Sequence, residues 1–246
     1  MDVSIVITSY NYVRFIDECL DSCLNQKGAA LKYEVIVVDD GSTDETPAAL
    51  TRRVDPRLRV LRIENSGIEL AANRGFEAAL GRYIVRVDAD DALEPNYLAQ
   101  IAPFLQKDFG FCYADYTVID GDSVPKEIVS LPDFDKSEIM TRGDFLATGT
   151  LYPTALLRTL GGYDTLTRNS GLENYELIIR IMSKGATGIH VAVPLFRYRR
   201  HDTNMSTKRI DNIIANGRAL FERYGLGGFR TNENHPYRLV LSEHLK

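Results

Sequence analysis

Val85-Arg86-Val87-Asp88-Ala89-Asp90-Asp91 closes an apolar run with three carboxylates and repeats the plan of an earlier stretch, Glu34-Val35-Ile36-Val37-Val38-Asp39-Asp40-Gly41-Ser42-Thr43-Asp44. Short, continuous β-branched runs of this kind are strands covered on both faces, as parallel sheets require. Further runs begin near Val3 and Leu58, and helical patterning fills the gaps between runs. The spacing therefore predicts an α/β fold with a mostly parallel central sheet flanked by helices. Ligands of open parallel sheets gather at the carboxyl ends of the strands, where Asp39, Asp40, Asp88, Asp90 and Asp91 all fall, beside Thr8-Ser9-Tyr10-Asn11. Crowded carboxylates repel one another and resist burial unless a hard cation or ligand donors offset them, so two acidic strand ends point to one nucleotide and metal site. One or two carboxylates, with a diphosphate supplying other ligands, is how Mg²⁺ or Mn²⁺ usually serves nucleotide chemistry. Neither GxxxxGK nor GxGxxG follows the first strand, so phosphate binding depends on the metal rather than on a backbone cradle.

The chain has 246 residues, 44% apolar and 26% charged, enough for an ordinary globular core. Its net charge of -5 argues against nucleic-acid binding, which rests on a surplus of Lys and Arg. Arg197-Tyr198-Arg199-Arg200 is a local basic exception, read either as diphosphate or solvated charges or as a face for an anionic membrane. Cys19 and Cys23, one helical turn apart, read as packing residues in a reducing compartment, with Cys112 the third cysteine. No apolar run reaches the roughly 18 residues that span a bilayer, so a cytoplasmic protein is expected, with peripheral membrane contact left open. Helices are expected over Thr43–Arg53, Gly67–Leu80, Asn96–Leu105, Pro153–Leu160, Leu172–Ser183 and Asp211–Tyr224, and later strands over Gly110–Ile119 and Gly188–Val193. Asp120–Asp144 is mixed and polar, a loop or irregular strands able to cover a substrate.

Four ordered stretches, Val3-Ser4-Ile5-Val6-Ile7-Thr8-Ser9-Tyr10-Asn11, Val38-Asp39-Asp40-Gly41-Ser42-Thr43-Asp44, Asn73-Arg74-Gly75 and Asp88-Ala89-Asp90-Asp91, resemble the motifs of family-2 inverting glycosyltransferases with the GT-A fold. The resemblance implies that Thr8, Tyr10 and Asp39 line the nucleobase site, that Asp88 lies near the ribose and that Asp90 binds the metal joining protein to donor diphosphate. It assigns Asp40 and Asn73 a supporting place. Gly161-Gly162-Tyr163-Asp164 and the stretch from Tyr198-Arg199-Arg200-His201 to Ser206 resemble later elements of the family, with His201 a candidate metal or diphosphate contact. A histidine in a basic turn is otherwise an ordinary solvated residue.

Two positions depart from the family's pattern. In Gly171-Leu172-Glu173-Asn174-Tyr175-Glu176-Leu177, the family's general base is usually an Asp where this chain has Asn174. At 100° per residue the stripe Leu177, Ile178, Ile181 and Met182 centres close to Asn174, with Glu173 on its flank and Glu176 turned away. An amide can orient an acceptor but cannot take its proton. Either Glu173 supplies the base or turnover is weak; the plain alternative is that Glu173 and Glu176 only favour the helix N-terminus. Ala72 stands where many relatives carry Arg, and Arg74, one residue on, points elsewhere on a helix.

The expected organisation is a single GT-A catalytic domain over 1–224, comprising a nucleotide-binding half (1–119), an acceptor half (120–206) and a C-terminal helix (207–224), followed by a tail (225–246). The expected activity is metal-dependent, inverting transfer of a sugar from a nucleoside diphosphate, UDP by resemblance, to a saccharide or lipid-linked acceptor in surface polysaccharide or glycolipid assembly. The rival readings are a sugar-nucleotide-binding protein with little turnover, kept alive by Asn174, and a nucleotidyltransferase, which Thr8-Ser9-Tyr10-Asn11-Tyr12 does not fit because it lacks a Gly-rich cationic loop. Oligomeric state is left open, since the amphipathic C-terminal helix suits its own sheet or a partner equally.

Overall fold

A computed structural model describes residues 1–143, 145–146, 148–166, 169–202 and 210–235. Its first half follows the strand–helix alternation. Strands β1 (Val3–Ser9), β2 (Tyr33–Asp39), β3 (Leu58–Arg62) and β4 (Tyr83–Asp88) lie in the order β3-β2-β1-β4, all parallel. Helices α1 (Ile16–Leu24), α2 (Thr46–Thr51) and α3 (Ile68–Ala78) connect them. Val3, Ile5, Ile7, Val35, Val37, Val85 and Val87 face one core layer, while Val6, Ile36, Val38 and Ile84 face the other. That explains the absence of alternation in the β1, β2 and β4 sequences: both faces of each strand are buried. Helix α3 sits so close to β1 that a Cβ on Gly75 would lie 2.3 Å from Val6 Cγ1, so the glycine of Asn73-Arg74-Gly75 is a packing requirement.

The second half is mixed. Two short strands, β5 (Ala92–Leu93) and β8 (Leu151–Pro153), have only two and three residues and carry no periodic signal of their own. β8 links β4 to β6 (Phe111–Ile119) by antiparallel pairing on both sides. β9 runs parallel to β6 over Gly188–Arg199, six residues beyond the expected Val193. It continues because Pro194 falls where the β6–β9 register shifts, a position at which a missing N–H is tolerated. Residues 120–143 of this stretch are more ordered than expected. Asp120 Oδ1 accepts from Asp122 and Val124 N–H at 2.9 and 3.0 Å, turning the chain into β7 (Pro125–Val129), which pairs antiparallel with β6. Asp135 then caps α5 (Lys136–Arg142) by accepting from Glu138 N at 2.8 Å.

Helices α4 (Tyr97–Ile101), α6 (Thr154–Leu160), α7 (Glu173–Ser183) and α8 (Ile210–Arg223) complete the described α-helices, and a 3-10 turn at Ala102–Phe104 follows α4. α8 turns Ile213, Leu220 and Phe221 onto its own chain, where Phe221 meets Tyr175 and Phe229. Cys19, Cys23 and Cys112 are buried and free. Among the described residues no helix is long and apolar enough to cross a membrane.

Candidate active site

The parallel register sets Thr8 beside Asp88 and Ser9 beside Asp39, bringing the ends of β1, β2 and β4 to one edge. Here polar atoms are buried without hydrogen bonds among the described residues: Thr8 Oγ1, Ser9 Oγ, Asp39 Oδ2 and Asp91 Oδ2. Unsatisfied buried oxygens are rare, and their gathering at one strand edge suits a polar ligand. Asp39 Oδ1 accepts from Ser42 N at 3.0 Å, and Arg62 Nε stands 3.6 Å from the other oxygen. Tyr10 is 44% exposed beside them. Asn11, at φ 60°, ties the first loop to the second, its Oδ1 accepting from Thr43 and Asp44 N–H at 2.8 and 3.3 Å.

Asp40 and Asn73 are fully engaged with protein. Asp40 Oδ1 accepts from Ser66 N and Oγ at 2.7 and 3.0 Å, and Oδ2 accepts from Gly67 N at 2.9 Å, so this carboxylate fixes the turn entering α3. Asn73 grips the backbone of Tyr163, accepting from its N–H at 2.7 Å and donating to its carbonyl at 2.9 Å. Gly162 makes this approach possible, because a Cβ there would lie 2.2 Å from Asn73 Oδ1. Ala72 is buried, and Arg74 points to solvent, pairing with Glu77 at 3.0 Å, as the one-residue offset predicts.

At the end of β4, His201 Nε2 lies 3.0 Å from Asp90 Oδ2, with both side chains buried and the Phe15 ring 4.9 Å from the imidazole. The sequence-based candidates for the metal thus meet across 111 residues of chain. Asp91 Oδ1 accepts from Arg199 N at 2.8 Å, and burial together with Asp90 and Asp88 pushes its carboxyl well above the usual range. The Asp90 carboxylate and the His201 imidazole are an O/N donor pair of the kind that Mg²⁺ or Mn²⁺ accepts, with the buried Asp91 beside them. Among the described residues no three His, Cys, Asp or Glu side chains are arranged to hold a metal ion. A cleft of about 530 Å³ adjoins His201, walled by Tyr12, Arg14, Phe15 and Arg200. Ser206, the end of the resembling stretch, lies outside the described residues, as does Asp144.

The basic segment is not a row of free cations. Arg199 is 1% exposed, donates from Nε to Asp90 O at 2.6 Å and pairs with Glu18. Arg197 stands 3.4 Å from both Glu18 and Glu94, and Arg200 pairs with Glu127 at 3.1 Å. Arg197 and Arg199, two residues apart on β9, share a face and both reach Glu18, while Arg200, just past the strand, turns to Glu127, a placement the bare sequence could not reveal.

Helix α7 brings Glu173 and Asn174 inward, both buried. Asn174 Oδ1 accepts from Tyr163 OH and faces Arg86 Nη1 at 3.5 Å. Glu173 Oε1 is 3.9 Å from Arg86 Nη2, and its Oε2 makes no hydrogen bond among the described residues. Burial lifts the Glu173 carboxyl to about 7, with Arg86 opposing the shift and Glu69 adding to it. Glu176 turns away from the Arg86 side of the helix but is not solvated there. It is 5% exposed, and its carboxylate accepts from Arg180 Nε and Nη2, each at 2.7 Å. A helical wheel assumes one buried face, whereas here Tyr224, whose hydroxyl donates to Glu176, covers another. Arg86, missed as a site residue, had one signal: a charge inside an otherwise apolar run ending at the acidic cluster.

The model of Glycosyl transferase family 2 matches residues 4–160. The succinoglycan biosynthesis protein ExoO of Rhizobium meliloti (strain 1021) is 31% identical over 254 residues, covering 95% of this chain and 72% of that protein. Among solved structures, S. aureus TarS 1-349 in complex with UDP-GlcNAc superposes with TM-score 0.71 at 20% identity, covering 89% of this chain and 65% of the other. The mannosyltransferase PcManGT from Pyrobaculum calidifontis, in complex with GDP-Man and Mn²⁺, gives TM-score 0.71 at 22% identity, covering 96% and 67%.

Proposed function

The chain belongs to glycosyl transferase family 2 and is a glycosyltransferase of GT-A fold, and from that premise we propose that it transfers the sugar of a UDP-sugar to an acceptor hydroxyl with inversion, releasing UDP, supported by Mn²⁺ or Mg²⁺. The observation that carries the reading is the single strand edge where Thr8, Asp39, Asp88, Asp90 and Asp91 converge, with Glu173 joined to Asp88 through Arg86. Thr8, Tyr10 and Asp39 receive the nucleobase, Asp88 the ribose, and Asp90 with His201 the cation. The bound cation supplies charge stabilisation for the departing diphosphate. The acceptor oxygen bonds to the anomeric carbon as the bond from that carbon to the diphosphate oxygen breaks, and Glu173 Oε2 takes the acceptor proton. A carboxyl near 7 suits general-base work at neutral pH, whereas the Asn174 amide has no basicity to offer.

The organisation that accompanies this reading is one catalytic unit over 1–224, its first half for the donor and 120–206 for the acceptor. The tail at 225–246 extends partly outside the described residues. ExoO is a succinoglycan biosynthesis protein, and the similarity supports polysaccharide assembly; a cytoplasmic location and a saccharide or lipid-linked acceptor complete the proposal. The test is release of UDP from UDP-sugars with Mn²⁺ by the wild type and by Glu173→Gln. The reading requires Mn²⁺-dependent release that falls at least about 100-fold in the variant while nucleotide binding persists. Equal release by both proteins removes Glu173 as the base.

A further inference from the structure

Arg86 itself lies outside the motifs that carry the family resemblance, although its neighbours Asp88, Tyr163 and Asn174 lie within them, and an inference from it rests on Glu173 being the base. Arg86 is on the face of β4 that α7 covers, and its side chain is 1% exposed. Nη2 pairs with Asp88 Oδ1 and stands 3.9 Å from Glu173 Oε1, while Nη1 is 3.5 Å from Asn174 Oδ1. The guanidinium carbon lies 5.8 Å from the centre of the Tyr163 ring. One cation thus joins the carboxylate at the end of β4 to the carboxylate and the amide that open α7.

We infer that Arg86 is a positioning residue of the transfer: its guanidinium fixes the Asn174 amide and holds the Glu173 carboxylate, so that the acceptor proton is taken at 173 and not at 174. An Asp at 174 would instead bring a second carboxylate against the same guanidinium and compete with Glu173 for it. The charged groups facing Glu173 are Arg86 and Asp88 from β4 and Glu69 from α3. Arg86 favours the ionised carboxylate; Glu69 and Asp88 disfavour it. Glu69 is itself held by the Asn169 and Ser170 N–H groups at 2.9 and 2.8 Å, just ahead of α7. Without Arg86, Glu173 is buried among negative neighbours and ionises only at higher pH.

The test is carboxyl-carbon NMR titration of the full chain labelled at glutamate, with the Glu173 signal assigned by its loss in Glu173→Gln. Arg86→Gln is expected to raise the Glu173 midpoint by at least about one unit, and an unmoved or lowered midpoint overturns the inference. Arg86→Lys keeps the charge but not the two-nitrogen hold, so the midpoint should stay within about half a unit while kcat falls about tenfold or more. Wild-type kcat and pH profile in Arg86→Lys would equally overturn it. A fully active Glu173→Gln defeats the base assignment; an inactive Glu173→Gln with an unmoved midpoint in Arg86→Gln defeats only the role of Arg86.

Discussion

Replacing Glu173 by Gln should stabilise the protein at alkaline pH and leave it nearly unchanged in acid. The carboxyl ionises near 4.5 in an open chain and at about 7 when folded, a gap of about 2.5 units. Between those values the folded state holds a proton that the unfolded state has lost, so stability falls as pH rises through the window. At about 1.36 kcal/mol per unit, the wild type gives up about 3 kcal/mol by pH 8 relative to a variant that cannot ionise there. The assay is urea unfolding of both proteins at pH 4.5 and 8, followed by circular dichroism. Both carry the same remaining titrating groups, so the difference between them isolates this one. A stability difference that does not change between the two pH values refutes the perturbed carboxyl, and with it the physical reason for choosing Glu173 as base.

Other positions give independent checks. Asp40→Ala removes the acceptor for the Ser66 and Gly67 N–H groups and should cost about 2–4 kcal/mol in urea unfolding, with loss of turnover following from the displaced α3 entry. Gly75→Ala drives a methyl into Val6 and should cost about 1–3 kcal/mol in the same assay; an unchanged midpoint would contradict the close α3–β1 packing. Asn174→Asp adds a negative charge beside Arg86, so the acid limb of kcat should move up by about one unit rather than kcat rising at neutral pH. A tenfold gain at pH 7 would instead mark the parent as a nucleotide-sugar binder lacking its base.

The parallel half of the fold was legible because β1, β2 and β4 are buried on both faces and write their burial into Val and Ile runs interrupted only by Ser4 in β1 and Arg86 in β4. β5 and β8 were not, since two or three residues carry no period and their pairing is dictated by strands far along the chain. Asp90 and His201 could be matched by resemblance, yet their meeting depends on β9 continuing through Pro194 to Arg199, which local signals argue against. The basic stretch looked like a surface because sequence alone does not show Glu18, Glu94 and Glu127 waiting beside it. Asn174 stood out by its neutrality, but Arg86 acquires meaning only when α7 closes over β4.

The most direct test of a UDP and metal site at the ends of β1, β2 and β4 is calorimetric titration of UDP with and without Mn²⁺, on the wild type and on Asp90→Ala. The account predicts heat of binding only when Mn²⁺ and Asp90 are both present, with affinity falling at least about tenfold when either is removed. Equal affinity for UDP in all four titrations, or no binding in any, would contradict it.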